Sequence, residues 1–146
     1  MLKIARLIST LGRVGYLPAP GTVASAIVFF IGYFLQSQEL LTGLVVLIVV
    51  VILFFCTHFY SRATHEHDPQ YIVSDEVTAS LLLVWLIPHS LFYFILTFAL
   101  FRFFDIKKPL GIKSLEKLPG VYGIISDDLL AGFYTLVVIR LIQFVS

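Results

Sequence analysis

Residues 77–101 read VTASLLLVWLIPHSLFYFILTFALF, a run with no charged side chain. A membrane-spanning helix takes about 20 apolar residues, so the run is long enough to cross a bilayer once. Pro88 stands at its centre, and proline removes a helix N–H and clashes with the turn before it. The run is therefore either one kinked helix or two shorter helices joined at Ile87-Pro88-His89-Ser90. That choice decides on which side of a membrane everything downstream lies.

The whole chain is in keeping with a membrane setting. Of its 146 residues 59% are hydrophobic and only 13% are charged, against roughly 45–50% and 25% in soluble domains. The mean hydropathy is +0.98. The fold class expected is all-α, an integral membrane bundle in one domain over residues 1–146, with four to five short membrane helices and an N-terminal amphipathic helix. Disordered, disulfide-stapled and coiled-coil classes are excluded by the same composition. Nucleic acid is not an expected partner, because no basic stripe interleaves with aromatics. Cys56 is the only cysteine, so neither an intrachain disulfide nor a thiolate zinc site can form. The first residues carry Lys3, Arg6 and Arg13 within their apolar stretch and do not read as a signal peptide.

Three further uncharged runs flank the first: 14–38, 40–61 and 129–139. Gly15, Pro18, Pro20 and Gly21 delay the first helix to Thr22, the expected N-cap of a helix over 22–36. Residues 1–12 form the amphipathic helix, with Lys3 and Arg6 opposite Leu2, Ile4, Leu7, Ile8 and Leu11. Residues 40–57 form a clear span, since a Val/Ile-rich strand could not satisfy its backbone in lipid. Ser126-Asp127-Asp128 reads as the N-terminus of a last helix reaching Val145.

Charge resolves the Pro88 question. If the run is a hairpin, the chain crosses at 22–36, 40–57, 72–87, 90–104 and 127–145. Nine of the ten basic residues then share one side, and only Arg140 lies toward the other. This is the bias that marks cytoplasmic segments. A single kinked helix would put Lys107, Lys108, Lys113 and Lys117 outside, so the hairpin is expected. Its arms are short, some 24 Å against a hydrocarbon core of about 30 Å, a mismatch for local bilayer thinning to absorb.

The acids follow the same geometry. Asp75 and Glu76 open one helix, Asp105 closes the next, and Asp127 and Asp128 open the last, all on the basic side. Helix capping accounts for one acid of each adjacent pair, at about 0.3–1 kcal/mol. It does not account for the second member, or for Asp105 at a helix C-terminus. Carboxylates gathered at one membrane face need a counter-charge, and oxygen donors suit Mg²⁺, Mn²⁺ or Ca²⁺. Arg102 and Lys108 beside them are candidates for holding phosphate, and Gly21-Thr22 offers backbone N–H groups at a helix start. Together these suggest phosphoryl chemistry on a lipid head group. His65-Glu66-His67-Asp68 could also supply ligands. A cation-coupled transporter is the rival reading, although its acids belong at mid-bilayer.

Four ordered blocks carry a resemblance: Pro20-Gly21-Thr22 with Ser25; Asp68-Pro69, Ile72-Val73 and Asp75-Glu76; Phe101-Arg102, Asp105 and Lys108-Pro109; and Gly120, Gly123-Ile124, Asp127-Asp128 and Ala131-Gly132. Over residues 18–140 the chain resembles the phosphatidylglycerophosphatase A family of bacterial inner-membrane lipid phosphatases. It departs from the family pattern at Ala24, Ala79, Gly111 and Val121, all small or turn positions. The motifs of haloacid-dehalogenase-type phosphatases, membrane acid phosphatases and CDP-alcohol transferases are missing.

The resemblance implies Mg²⁺-dependent removal of the terminal phosphate from phosphatidylglycerophosphate, with Mn²⁺ as a possible substitute. It implies a site on the cytoplasmic face of the bacterial inner membrane. Asp75, Glu76, Asp105, Asp127 and Asp128 are then metal ligands or bases. Arg102 and Lys108 hold phosphate oxygens, with Thr22 near the phosphate. Attack by a metal-activated water and a phosphoaspartyl intermediate both stay open. A member impaired by its glycine losses would act as a membrane subunit. Oligomeric state is left open.

Overall fold

The computed structural model describes residues 2–36, 39–64 and 69–145, and among these it is all helix and turn, with no strand. The helices are α1 (Leu2–Ser9), α2 (Pro20–Leu35), α3 (Glu39–Thr64), α4 (Ser74–Leu86), α5 (Leu91–Lys107), α6 (Ile112–Leu115) and α7 (Val121–Val145).

The 77–101 run divides as a hairpin. α4 ends at Leu86, α5 starts at Leu91, and Ile87 between them is extended. The residue before a proline is driven out of the helical region, which is why the break falls there. α4 is the central helix and packs on α2, α3 and α7, while α5 lies against α7 and α2, and α1 against α3.

Small residues set the spacing of these contacts. A Cβ on Gly32 would collide with Val84, and one on Gly43 would lie 2.7 Å from the Trp85 indole. Ala79 faces Gly132 across the α4–α7 seam, where a Cβ would meet it at 3.8 Å. That is an ordinary packing distance, so the seam has room for the alanine at 79. Gly111 adopts φ 89°, which proline cannot reach.

Two helix starts differ from the sequence expectation. α2 begins at Pro20 with Ala19 as its N-cap, so Thr22 lies inside the first turn and caps nothing. Proline's fixed φ suits the first helical position and starts the helix early. α7 begins at Val121, behind Gly120 at φ 61°. The left-handed glycine makes the break, and Ser126, Asp127 and Asp128 fall well inside the helix.

Polarity is distributed as a lipid setting requires. Phe30, Phe34, Leu44, Ile48, Phe55, Phe92, Ile95 and Leu141 are exposed, whereas Asp75, Asp105, Asp127, Asp128, Ser25, Thr57, Ser74 and Thr135 are buried. An apolar exterior around a polar interior is unfavourable in water. Residues 43–64 and 121–145 are long and apolar enough to cross a membrane. α2, α4 and α5, of 16, 13 and 17 residues, are shorter than a usual span. The chain is membrane-associated.

Candidate active site

α4 carries the first two acids. Val73 is its N-cap, which puts Asp75 and Glu76 in the first turn, but neither cap hydrogen bond is made by a side chain. The turn is anchored from several directions. The Val73 N–H donates to the Ser9 carbonyl at 2.9 Å, and the Thr57 and Ser74 hydroxyls share a hydrogen bond of 2.5 Å. With α7 packed against α4, Asp128 arrives from the other side.

Asp75, Glu76 and Asp128 each present an oxygen, and these oxygens all lie within 4.8 Å of one another. Asp75 is 8% exposed and Asp128 3%. Asp75 Oδ1, Glu76 Oε2 and Asp128 Oδ2 are buried without a hydrogen-bond partner. At an effective dielectric near 20, two like charges this far apart repel by about 3.5 kcal/mol. The helix dipole returns at most about 1 kcal/mol, so capping does not explain the trio. Buried oxygens that lack donors, converging from two helices, could hold a hard divalent cation.

Asp105, in the last turn of α5, is close enough to interact with both Glu76 and Asp128. Arg102, one turn earlier, pairs with Asp105 at 2.6 Å and also interacts with Glu76. Its Nε is buried without a hydrogen-bond partner. A guanidinium thus lies beside Asp105 and Glu76 with donor capacity to spare.

Gly21 explains the proline-glycine-threonine turn. A Cβ there would fall on the Glu76 carboxylate. Only glycine lets this acid lie against the first turn of α2, where the positive end of the helix dipole favours it. The anion at this helix start is the chain's own Glu76. Thr22 is the next residue, half-buried beside the site.

Asp127 and Lys108 form a separate arrangement. Lys108 ends α5 in the left-handed conformation, φ 45°. Its Nζ bonds Asp127 Oδ2 at 2.5 Å and Glu116 Oε1 at 2.7 Å. Burial opposes the charge, but the two carboxylates outweigh it and hold the Lys108 pKa above the ordinary lysine range. In the sequence Asp127 and Asp128 are adjacent and expected to act together. The structure gives Asp127 an ammonium partner and directs Asp128 to the trio. Glu116, which joins the clamp, carried no spacing signal that could have singled it out. His65, Glu66, His67 and Asp68 lie outside the described residues.

This site falls within a recognised family. The family model for phosphatidylglycerophosphatase A matches residues 7–143. The chain belongs to the phosphatidylglycerophosphatase A family. A curated phosphatidylglycerophosphatase A of Haemophilus influenzae is 37% identical over 134 residues, covering 87% of this chain and 80% of the relative. A Bacteroides thetaiotaomicron protein with the provisional name phosphatidylinositol-3-phosphatase is 32% identical over 140 residues, covering 90% and 88%. No solved structure matches. Membership in the phosphatidylglycerophosphatase A family makes this chain a phosphatase of phospholipid metabolism.

Proposed function

We propose that this phosphatase hydrolyses phosphatidylglycerophosphate to phosphatidylglycerol and phosphate, the family's reaction, at the end of the bundle where Asp75, Glu76 and Asp128 meet. The observation that carries the assignment of the site is that trio of buried, donor-less oxygens beside the Arg102–Asp105 pair. Mg²⁺, or Mn²⁺ in its place, would be held by Asp75, Glu76 and Asp128, with Asp105 adjacent. Bound there, it would supply Lewis-acid stabilisation of phosphoryl oxygens and a more acidic water.

The chain's own groups do the rest. Asp105 fixes the Arg102 guanidinium, whose remaining N–H groups take phosphate oxygens in the paired geometry arginine favours. Lys108 and Asp127 brace the α5–α7 junction, and Lys108 lies where the neighbouring phosphodiester of the substrate would pass. Thr22 lines the phosphate from α2. Hydrolysis adds a water oxygen to phosphorus and breaks the bond to the glycerol oxygen, which leaves as the alcohol after gaining a proton.

The setting we infer is the bacterial inner membrane with the site toward the cytoplasm. Arg102, Lys107, Lys108, Lys113 and Lys117 accompany the acids at one end, and Arg140 stands alone at the other. Four to five helices enter the bilayer, the short ones with local thinning. A substrate held by its acyl chains meets the carboxylates at head-group depth, which removes much of the entropy cost of encounter.

The test is phosphate release by purified protein, with and without Mg²⁺, from phosphatidylglycerophosphate, phosphatidic acid, glycerol phosphate and phosphatidylinositol 3-phosphate at matched surface concentration. Fastest turnover of the first, lost on chelation, is expected. Equal rates on all would leave a generic lipid phosphatase. Preference for the inositol lipid would move the substrate toward the Bacteroides relative's name. Full activity in excess chelator would overturn the metal assignment.

A further inference from the structure

At the opposite end of the bundle from the carboxylates, a half-open cavity of about 370 Å³ is lined by Gln36, Trp85, Pro88, His89 and Arg140. By helix rise it lies some 18 Å from the acids along α7. Nothing in the phosphatase reaction uses it.

Its polar groups are unevenly committed. Gln36 Nε2 donates to the carbonyls of Val84 and Ile87, both at 2.7 Å. That orientation leaves Gln36 Oε1 buried without a donor, on a residue only 9% exposed. An orphaned buried acceptor of this kind is destabilising and calls for a donor from a ligand. Arg140 Nη2 donates to the Leu86 carbonyl at 2.7 Å and Nη1 to Gln143 at 3.1 Å. Two of its five N–H groups are thus used, and the others are available to an anion. His89 is engaged with the Tyr33 carbonyl at 2.7 Å. Among the described residues that line the cavity, Arg140 is the one with a fixed charge, and none is a carboxylate.

The surroundings are apolar and exposed. Phe34 and Leu35 adjoin Gln36, and Leu141 and Phe144 adjoin Arg140, with exposures between 60% and 90%. A soluble ligand has no use for such a rim, whereas acyl chains would cover it. We propose that this cavity binds the head group of an intact phospholipid, an anionic phosphodiester that also carries a free hydroxyl. Arg140 takes the phosphate oxygens, Gln36 Oε1 accepts from the hydroxyl, and the chains run down the apolar rim.

Trp85 is the chain's single tryptophan, so its fluorescence reports on the cavity. The full chain in neutral detergent micelles is titrated with phosphatidylglycerol, phosphatidylmethanol, phosphatidylcholine and soluble glycerophosphoglycerol. Phosphatidylglycerol should give a saturable change, at least about tenfold tighter than phosphatidylcholine, with phosphatidylmethanol between them and the soluble diester inactive. Arg140→Gln should weaken binding at least tenfold with phosphatase turnover retained. Arg140→Lys should restore part of it and serves as the variant of record if Arg140→Gln fails to fold. Asp128→Asn should leave the titration unchanged. Equal binding of phosphatidylcholine, indifference to Arg140→Gln, or loss of the signal in Asp128→Asn each overturns the proposal. Equal binding of the soluble diester overturns its lipid source, and equal binding of phosphatidylmethanol overturns the role of Gln36.

Discussion

The two ends of α4 handle buried polarity in opposite ways. At the C-terminal end, neutral amide and guanidinium donors reach the carbonyls that helix geometry leaves over: Gln36 serves Val84 and Ile87, and Arg140 serves Leu86. These bonds complete the fold. At the N-terminal end acids gather, and Asp75, Glu76 and Asp128 each keep one buried oxygen with no partner. Helix ends ordinarily recruit what they lack. An end that accumulates repulsion is held in that form by the rest of the structure, and the proposed gain lies in binding a cation there. The contrast separates stability from activity along one helix, so each variant should affect mainly one of them.

The largest expected effect is at the acidic end. Asp128→Asn and Asp75→Asn should each lower turnover by about 10²–10³-fold, the scale for removing a key electrostatic group. Measured in chelator, their melting temperatures should rise, because crowding of like charge is relieved. A marked fall instead would mean that the acids are there for capping.

Gly21→Ala comes next. Its methyl group would displace Glu76, and a shift near 1 Å can cost on the order of a hundredfold in rate. Gly43→Ala is the matching change at the other end, where the obstacle is the Trp85 ring. It should reduce stability by about 1–3 kcal/mol, as overpacking does, and leave turnover per folded molecule nearly intact. Similar kinetic losses for both glycines would erase the distinction between the ends.

Lys108→Met should be milder, roughly tenfold in rate by loss of one charge-assisted contact, with a greater effect on a two-phosphate substrate than on phosphatidic acid. It should also lower stability, since Asp127 and Glu116 lose their shared ammonium. The smallest kinetic change is expected for Gln36→Ala. Thermal unfolding should show a loss of about 1–3 kcal/mol from the exposed Val84 and Ile87 carbonyls, while the rate constant stays near that of the parent chain.

Much of this was legible in the sequence because it rests on strong local rules. Pro88 and the lysines beyond residue 105 together demanded the α4–α5 hairpin, and the structure has it. The acids attracted notice because capping could not absorb all of them. Other features were hidden because they depend on contacts between distant segments. Asp127 and Asp128 are adjacent in sequence, yet about 100° apart around a helix of 3.6 residues per turn, so one meets Lys108 and the other the trio. Gly21 looked like a turn residue with free N–H groups, and only the fold shows Glu76 resting on it. The start of α7 was misplaced because Ser126-Asp127-Asp128 has the composition of an N-cap, whereas Gly120 supplies the geometry.

The trio has a history within each molecule's synthesis. Asp75 and Glu76 emerge well before Asp128, and at roughly 5–20 residues per second several seconds separate them. During that interval the nascent chain carries two of the acids in an unfinished bundle, and a chain that ends before residue 128 lacks the complete set. On the proposed reading of the site, α7 completes it, so a chain stopped short of residue 128 should show no phosphate release.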